Sequence, residues 1–272
     1  MMIFSGAQFV SQQYSCVSGG EPQMCTLTFI PKPQGYLMGM NRDERLTREL
    51  ALAPVAITTS NLRAAYPRES RSGGTWIGSN SSGITFALLN QNSGPYARMK
   101  ERSRGEIIPT LVGTSHFPEA MWRFQSMDLH GMMPFLLIGI FPAEQIISQC
   151  LWDGRELQFV RIGWDARHWF SSGVSDEMAR KVRGNTCYEA WRRRDAASAE
   201  WLRGLHASHS PARGSFSICV HRPDAATVSY TEAAFNGDEL IMRYHAGHPC
   251  QALGRFDSEV ILQPPSVIAV AS

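Results

Sequence analysis

The stretch MCTLTFIPKPQGYLMGMNRDE, residues 24–44, carries the clearest structural pattern in the chain. Residues 25–30 alternate threonine with apolar side chains, which predicts a strand with one buried face. Two prolines and a glycine in 31–35 predict a turn, and 36–40 predicts the returning strand. Because the open ends of a hairpin lie together, Cys25 and the polar residues 41–44 are expected side by side.

The same patterns predict the rest of the fold outward from this hairpin. Further strands are predicted at 75–78, 84–89, 135–141, 146–152, 157–162, 216–220, 227–231 and 240–244. Helices are predicted at 104–112, 118–127, 176–192 and 196–206. Strands joined by short turns indicate antiparallel sheets, and paired helices indicate a helix layer on each outer face. We therefore predict an α+β sandwich, with residues 25–272 forming a single domain.

Composition excludes several classes of protein. The 272 residues carry 26 basic and 24 acidic side chains, a formal net charge of +2, so there is no electrostatic footprint for nucleic acid. The longest strongly apolar run, 132–141, is about half of the ~20 residues that a membrane-spanning helix needs. The six cysteines are widely spaced, without a CxxC pair, which indicates reduced thiols and predicts a cytoplasmic protein. The oligomeric state stays open.

Residues 1–24 differ from the rest of the chain. They show no strand or helix periodicity, contain a Gly-Gly-Glu-Pro break at 19–22, and lack the basic and apolar regions of a secretory signal. We expect this segment to be a disordered leader or a mis-assigned start, outside the folded domain. Translation from Met24, or removal of the leader, would make Cys25 the N-terminal residue, since methionine is usually trimmed before a small side chain.

An N-terminal Cys25 would combine a nucleophile and a base in one residue. Its α-amine, with an ordinary pKa of about 7.7–8.0, could take the thiol proton directly or through a water molecule. The alternative is an inert cysteine buried in a strand. The two interpretations differ in whether the amine is free.

Two other polar positions lie at predicted strand ends. Within 41–44, the guanidinium of Arg42 would stabilise a thiolate, and a carboxylate would hold the α-ammonium or orient a substrate amine. The alternative is a polar strand end with an acidic helix cap. Asn90, after the strand at 84–89, could donate a hydrogen bond to a developing oxyanion, or serve only as a turn residue.

Histidines and cysteines in the C-terminal half raise the alternative of a metal site. Cys219 and His221 are two residues apart at the predicted strand 216–220 and would share one of its faces. The other candidate ligands are His206, His209, His245, His248 and Cys250. None of these spacings is a recognised zinc motif, so the sequence predicts no metal and no other cofactor.

Several short motifs occur in order at suitable spacings. They are Met24-Cys25-Thr26-Leu27-Thr28, Asn41-Arg42-Asp43-Glu44, Gly73-Gly74-Thr75-Trp76-Ile77-Gly78, Leu88-Leu89-Asn90 and Ser103-Arg104-Gly105-Glu106. With them the chain closely resembles the NRDE family, whose eukaryotic members are called transport and Golgi organization protein 2. The resemblance extends from residue 24 to about 250 and includes C-terminal stretches similar to those of bacterial members.

This resemblance implies a four-layer αββα fold similar to that of N-terminal nucleophile hydrolases. The catalytic positions that it implies are Cys25 as nucleophile, Asn41 or Arg42 as the active-site arginine position, Asp43 or Glu44 as the aspartate position, and Asn90 as oxyanion donor. The residues expected to contact substrate are Thr75, Trp76, Arg104 and Ser172. At 171–173, Ser-Ser-Gly stands where some members have Asn after Ser, so a second polar donor is expected to be missing.

The function implied by this resemblance is hydrolysis of a non-peptide amide of a small molecule by an N-terminal cysteine. The alternative on the same fold is a protein that binds or transports a lipid, an acyl-CoA or haem without chemistry. The state of the mature N-terminus separates the two, because only a free Cys25 amine can act as the base.

Overall fold

A computed structural model describes residues 24–59, 62–91, 102–252 and 254–264. Its strands, in chain order, are β1 (Met24–Lys32), β2 (Gly35–Arg45), β3 (Leu52–Thr59), β4 (Leu62–Arg68), β5 (Ile77–Asn80), β6 (Thr85–Asn90), β7 (Phe135–Phe141), β8 (Ile146–Trp152), β9 (Leu157–Ile162), β10 (Arg167–Ser171), β11 (Ala225–Phe235), β12 (Leu240–Ala246) and β13 (Ser258–Leu262). Its helices are α1 (Ile107–Leu111), preceded by a 3₁₀ turn at Arg104–Glu106, α2 (Phe117–Gln125), α3 (Asp176–Trp191), α4 (Ala199–His206) and α5 (Pro249–Ala252).

The strands form two antiparallel sheets. The six-stranded sheet has the order β10-β1-β2-β11-β12-β13, and the seven-stranded sheet runs from β3 to β9 in sequence order. β1 and β2 form the predicted hairpin, in which Cys25 is paired with Arg42. Because β10 and β11 flank this hairpin, strands from both halves of the chain position the residues around Cys25.

Helices cover the outer face of each sheet. On the six-stranded sheet, Trp201 and Leu205 of α4 pack with Ile30 of β1. On the seven-stranded sheet, Leu111 of α1 and Phe124 of α2 belong to the apolar cluster that covers its outer face. A third apolar cluster fills the space between the sheets. The predicted four-layer αββα sandwich is therefore confirmed.

The prediction of a strand at 216–220 is wrong, because this mostly buried segment is a loop. The backbone N–H of Cys219 donates to the Ser208 carbonyl at 2.9 Å. The backbone N–H of Val220 donates to the Thr227 hydroxyl at 2.8 Å. An apolar segment can satisfy its buried backbone groups in this way without joining a sheet.

Sequence patterns did not predict four of the described strands, β3, β4, β10 and β13. β3 and β4 each contain two alanines and one proline, residue types that are depleted in strands. β10 and β13 have only five residues each. Short segments and weak strand formers give little periodicity, so tertiary pairing decides their conformation.

The expected leader lies outside the described residues, except for Met24, whose backbone pairs with Asp43 in β2. Cys16 also lies outside them, whereas the described cysteines are free thiols. Among the described helices, none combines the length and the apolarity needed to cross a bilayer.

Candidate active site

Cys25 lies between two strands that each supply a polar neighbour. Its cross-strand partners are Arg42 in β2 and Ser171 in β10. The backbone N–H of Cys25 donates to the Ser171 hydroxyl at 3.0 Å. The residue is only 5% exposed and belongs to the apolar cluster between the sheets, as does Leu27 two residues later. The site therefore lies at the end of the intersheet core.

Arg42 is held by carboxylates that come from both sheets. Its Nη2 donates to Glu69 Oε1 at 2.8 Å and to Glu44 Oε2 at 3.2 Å. Arg48 donates to the same two carboxylates at 3.0 and 2.9 Å. The Arg42 guanidinium also lies 4.2 Å from the ring centroid of Trp76, a distance suited to a cation–π contact. Arg42 was expected at an open strand end, but it is 5% exposed and fixed on all sides.

The pKa of the Cys25 thiol is raised to about 12, first by burial and then by the negative charge of Asp43. A hydrogen bond from the Asp43 backbone and the positive charge of Arg42 both act to lower this pKa. In the chain that retains Met24, the thiol is consequently protonated at neutral pH. Nucleophilic chemistry at Cys25 would need a base to take that proton.

Asp43 contacts groups on the helix-covered side of the six-stranded sheet. Its Oδ1 accepts a hydrogen bond from the Thr227 hydroxyl at 2.5 Å, and its Oδ2 lies 3.7 Å from Nη2 of the buried Arg183. That Oδ2 has no hydrogen-bond partner among the described residues. Burial raises the pKa of Asp43 to about 7, although Arg183 and Thr227 oppose the shift. A buried carboxylate oxygen opposite residue 24 is thus open to another donor.

A narrow cleft lies beside Cys25 and is partly open to solvent. Besides Cys25 and Asp43, its lining residues are Arg42, Glu44, Arg48, Glu69, Thr75, Trp76, Leu88, Asn90, Arg102, Ser103, Arg104, Gly105 and Met133. The buried indole N–H of Trp76 has no hydrogen-bond partner among the described residues. Unsatisfied buried donors are uncommon in folded proteins, so this one is a candidate for binding a ligand acceptor.

Close packing between the motif at 73–78 and the motif at 103–106 shapes one wall of the cleft. A Cβ atom added to Gly74 would lie 2.9 Å from the Cα of Gly105, and one added to Gly105 would lie 2.8 Å from the Cα of Gly74. The backbone N–H of Thr75 donates to the Gly105 carbonyl at 3.2 Å. The two glycines therefore allow these segments to meet at the cleft, because any side chain would force their backbones apart.

The cleft brings together eight of the ten residues predicted for the site: Cys25, Arg42, Asp43, Glu44, Thr75, Trp76, Asn90 and Arg104. The other two lie elsewhere. The Asn41 amide donates to the carbonyls of His206 and Ile218, both at 2.9 Å, inside the layer between α4 and the sheet. The Ser172 hydroxyl accepts hydrogen bonds from the backbone of Val174 and Ser175 at the turn into α3.

Among the residues that the sequence analysis did not predict for the site are Arg48, Glu69, Ser171 and Arg183, whose side chains contact Cys25, Asp43 or the ion pairs of Arg42. Ser171 stands beside Ser172 in the segment already singled out, but one residue earlier. Glu69 directly follows β4 of the other sheet, and Arg183 is one of two arginines in α3. No local pattern distinguishes Glu69, Ser171 and Arg183, because their partners are distant in sequence.

The fold places this chain among proteins with the N-terminal nucleophile hydrolase architecture. An N-acylethanolamine-hydrolyzing acid amidase ortholog from Caenorhabditis elegans superposes with a TM-score of 0.52 and 14% identity, covering 76% of this chain and 91% of its own. A mutant conjugated bile acid hydrolase from Clostridium perfringens superposes with a TM-score of 0.51 and 11% identity, covering 88% of this chain and 92% of its own. At these identities the likeness concerns the fold alone.

Residues 24–206 match the family described as Transport and Golgi organisation 2, and the chain belongs to that family. The match begins at Met24, where β1 also begins. A comparison with curated proteins finds no significant match.

Proposed function

We propose that this protein is an N-terminal cysteine hydrolase that cleaves a non-peptide amide of a small molecule. The observation that carries the proposal is the position of Cys25 in the charged cleft. Arg42 is its cross-strand partner in β2, and Asp43, whose Oδ2 accepts no hydrogen bond among the described residues, is paired with Met24. The fold is shared with a protein identified as an amidase, which supports amide cleavage as the reaction class.

The proposal requires that residue 24 be removed, so that the Cys25 backbone nitrogen becomes an α-amine. That nitrogen already contacts the Ser171 hydroxyl at 3.0 Å, and Ser171 would go on orienting the amine. Removal of Met24 uncovers its pairing partner Asp43. Asp43 Oδ2 accepts no hydrogen bond among the described residues, although it lies 3.7 Å from Arg183 Nη2. It could then accept a hydrogen bond from the ammonium form, which would add a second positive charge beside the buried carboxylate.

The reaction then proceeds in two stages, formation of a thioester on Cys25 and hydrolysis of that thioester. The α-amine takes the thiol proton, and the Cys25 sulfur attacks the amide carbonyl carbon to form a tetrahedral oxyanion. The C–N bond breaks as the ammonium returns the proton to the leaving amine, and a thioester remains. A water molecule, deprotonated by the same amine, attacks the thioester, and the C–S bond breaks to release the carboxylic acid and the thiol.

Two donors in the cleft suit the developing oxyanion. Asn90 ends β6 and lines the cleft, as its motif implies. Trp76 lines it as well, and its buried indole N–H has no hydrogen-bond partner among the described residues. Loss of a single oxyanion donor typically lowers the turnover rate about 10²–10³-fold, so each donor can be tested alone.

The decisive experiment uses chains that start at Met24, so that methionine trimming exposes Cys25. Intact mass establishes the N-terminus, and hydrolysis of a panel of N-acyl amides with small head groups is followed by amine release. We expect activity from the trimmed chain, none from Cys25→Ala, and none from a chain that keeps one residue before Cys25. Equal hydrolysis by all three would contradict the proposal.

A second candidate function is binding of a lipid, an acyl-CoA or haem without chemistry. The observation in its favour is the burial of Cys25, which raises the thiol pKa to about 12 in the chain that retains Met24. In that form the cleft would hold its ligand with Cys25 as a neutral contact. Binding would be favoured if the purified protein keeps its leader and retains one of these ligands through gel filtration. The chain trimmed to Cys25 should then also be inactive.

A further inference from the structure

Four potential metal ligands converge behind the six-stranded sheet, away from the cleft. They are His209, in the loop after α4, Cys219 and His221, in the loop before β11, and Cys250 in α5. One ligand atom from each lies within 4.8 Å of all the others. Cys219 is fully buried, and the other three are partly buried. This convergence joins residues whose sequence spacings match no zinc motif.

The distances within this group suit a tetrahedral metal ion. His221 Nε2 lies 3.5 Å from the sulfur of Cys219 and 3.5 Å from the sulfur of Cys250. In a tetrahedral zinc site, with Zn–S of about 2.3 Å and Zn–N of about 2.0–2.1 Å, neighbouring sulfur and nitrogen ligands are separated by about 3.5 Å. The fourth member, His209, has a buried Nε2 with no hydrogen-bond partner among the described residues.

We propose that His209, Cys219, His221 and Cys250 bind a structural zinc ion. Two thiolates and two imidazoles form a ligand set that zinc favours, and four protein ligands close the site to substrate, as in structural rather than catalytic zinc centres. Such an ion would tie the 209–221 loop to α5. This proposal is independent of amide hydrolysis, because none of the four residues lines the cleft.

Neighbouring contacts would orient the ligands and link the site to Asp43. His248, whose ring centroid lies 4.5 Å from that of His221, has its Nδ1 2.7 Å from the Thr227 carbonyl. The hydroxyl of Thr227 accepts from the Val220 backbone and donates to Asp43. The proposed zinc therefore stands behind the strand end that carries Asp43, and its removal should loosen that end.

Arg213 gives the site an internal control. Its Nη2 lies 3.0 Å from His221 Nδ1, so without metal the guanidinium donates to that nitrogen and Nε2 carries the proton. With zinc on Nε2, Nδ1 must carry the proton instead, and the exposed Arg213 has to turn away. Its positive charge also opposes a cation. Replacing Arg213 should consequently strengthen metal binding without removing any ligand.

The test uses the full chain without a histidine tag, dialysed against a weak chelator, with zinc measured by elemental mass spectrometry. The same chain is loaded with cobalt, whose visible spectrum reports tetrahedral geometry and thiolate ligation. The ligand variants are Cys219→Ser, Cys250→Ser and His209→Gln. The matched controls are Cys187→Ser, a buried cysteine elsewhere, and His130→Gln, an exposed histidine elsewhere. Circular dichroism verifies that each variant is folded.

We expect about one zinc per chain in the parent and in both controls, and loss of most of the metal in each ligand variant. Arg213→Gln should hold zinc more tightly in chelator competition, which keeps the test informative if a cysteine variant fails to fold. A parent chain that takes up no zinc and gives no thiolate–cobalt absorption overturns the proposal. So does thiol titration that reveals a Cys219–Cys250 disulfide, or equal metal loss in the controls.

Discussion

Arg42 is the direct cross-strand partner of Cys25, yet its guanidinium is fixed by a carboxylate from the opposite sheet. The pairing belongs to the β1–β2 ladder, whereas Glu69 follows β4 and accepts from Arg42 at 2.8 Å. Burial acts to raise the pKa of Glu69, but the positive charges of Arg42 and Arg48 keep that pKa below its ordinary value. The position of the Arg42 charge beside the Cys25 thiol thus depends on a contact between the two sheets.

Reactivity of Cys25 should depend on the residue before it. With Met24 retained, the thiol pKa of about 12 leaves almost no thiolate, so iodoacetamide should label Cys25 slowly at neutral pH. Exposure of the α-amine should raise the rate by more than about tenfold, because the amine can take the thiol proton. Peptide mapping by mass spectrometry measures the rate.

Cys150 and Cys187 serve as internal references for that experiment, since burial raises the thiol pKa of each to about 12 as well. Their labelling should not respond to the state of residue 24. A parallel change in all three thiols would indicate general opening of the fold rather than activation of Cys25.

Cys25→Ala should leave the melting temperature nearly unchanged, since the substitution removes only one sulfur atom.

Arg42→Leu should raise the Cys25 pKa and slow its alkylation in the chain with a free Cys25 amine. Arg48→Leu is the matched control, because Arg48 binds the same two carboxylates but is not among the groups that shift the Cys25 pKa. Loss of the buried Arg42 ion pairs should cost about 3–5 kcal/mol, and loss of the half-buried Arg48 pairs should cost less. The pH dependence of alkylation separates the variants, and equal slowing in both would assign Arg42 a purely structural role.

Asp43 should make the protein less stable as the pH rises. Its pKa is raised from 3.8 to about 7 in the folded chain, so between these values the native state holds a proton that the unfolded state releases. The unfolding free energy therefore falls from about pH 4 to about pH 7, by at most about 4 kcal/mol. Asp43→Asn should flatten this slope in urea titrations at a series of pH values.

The control for that titration is Asp238→Asn, which changes an exposed aspartate. It should leave the slope as in the parent chain. If Asp43→Asn also leaves the slope intact, the buried carboxylate is not the group that titrates in this range.

Gly105→Ala should destabilise the wall of the cleft. The added methyl would lie 2.8 Å from the Cα of Gly74, and such overpacking typically costs about 1–3 kcal/mol. Gly204→Ala is the control, since nothing lies within 4 Å of a Cβ at that position in α4. That change should stabilise the helix by up to about 1 kcal/mol. Thermal unfolding of both variants tests the contrast, and similar melting temperatures would refute close packing at Gly105.

Sequence patterns predicted the β1–β2 hairpin, antiparallel sheets without four of their strands, and the helix layers. Of the ten residues predicted for the site, eight line the cleft. Strand alternation and turn residues are local signals, and a hairpin brings its own two ends together. Thr75, Trp76 and Arg104, in contrast, were predicted only from the resemblance to the family. Asn41 and Arg42 show the limit of this reasoning. Adjacent residues in a strand point to opposite faces, and only the layers on each side decide which one reaches the cleft.

Tertiary structure alone decided the electrostatics of the site and the cluster around His221. The pKa of Cys25 depends on burial, and the fixed position of Arg42 depends on Glu69 from the other sheet. The thiols of Cys219 and Cys250 meet one imidazole nitrogen although 31 positions separate them in the chain. Contacts of this kind arise when separate segments pack together, and their sequence spacing contains no periodic signal from which to predict them.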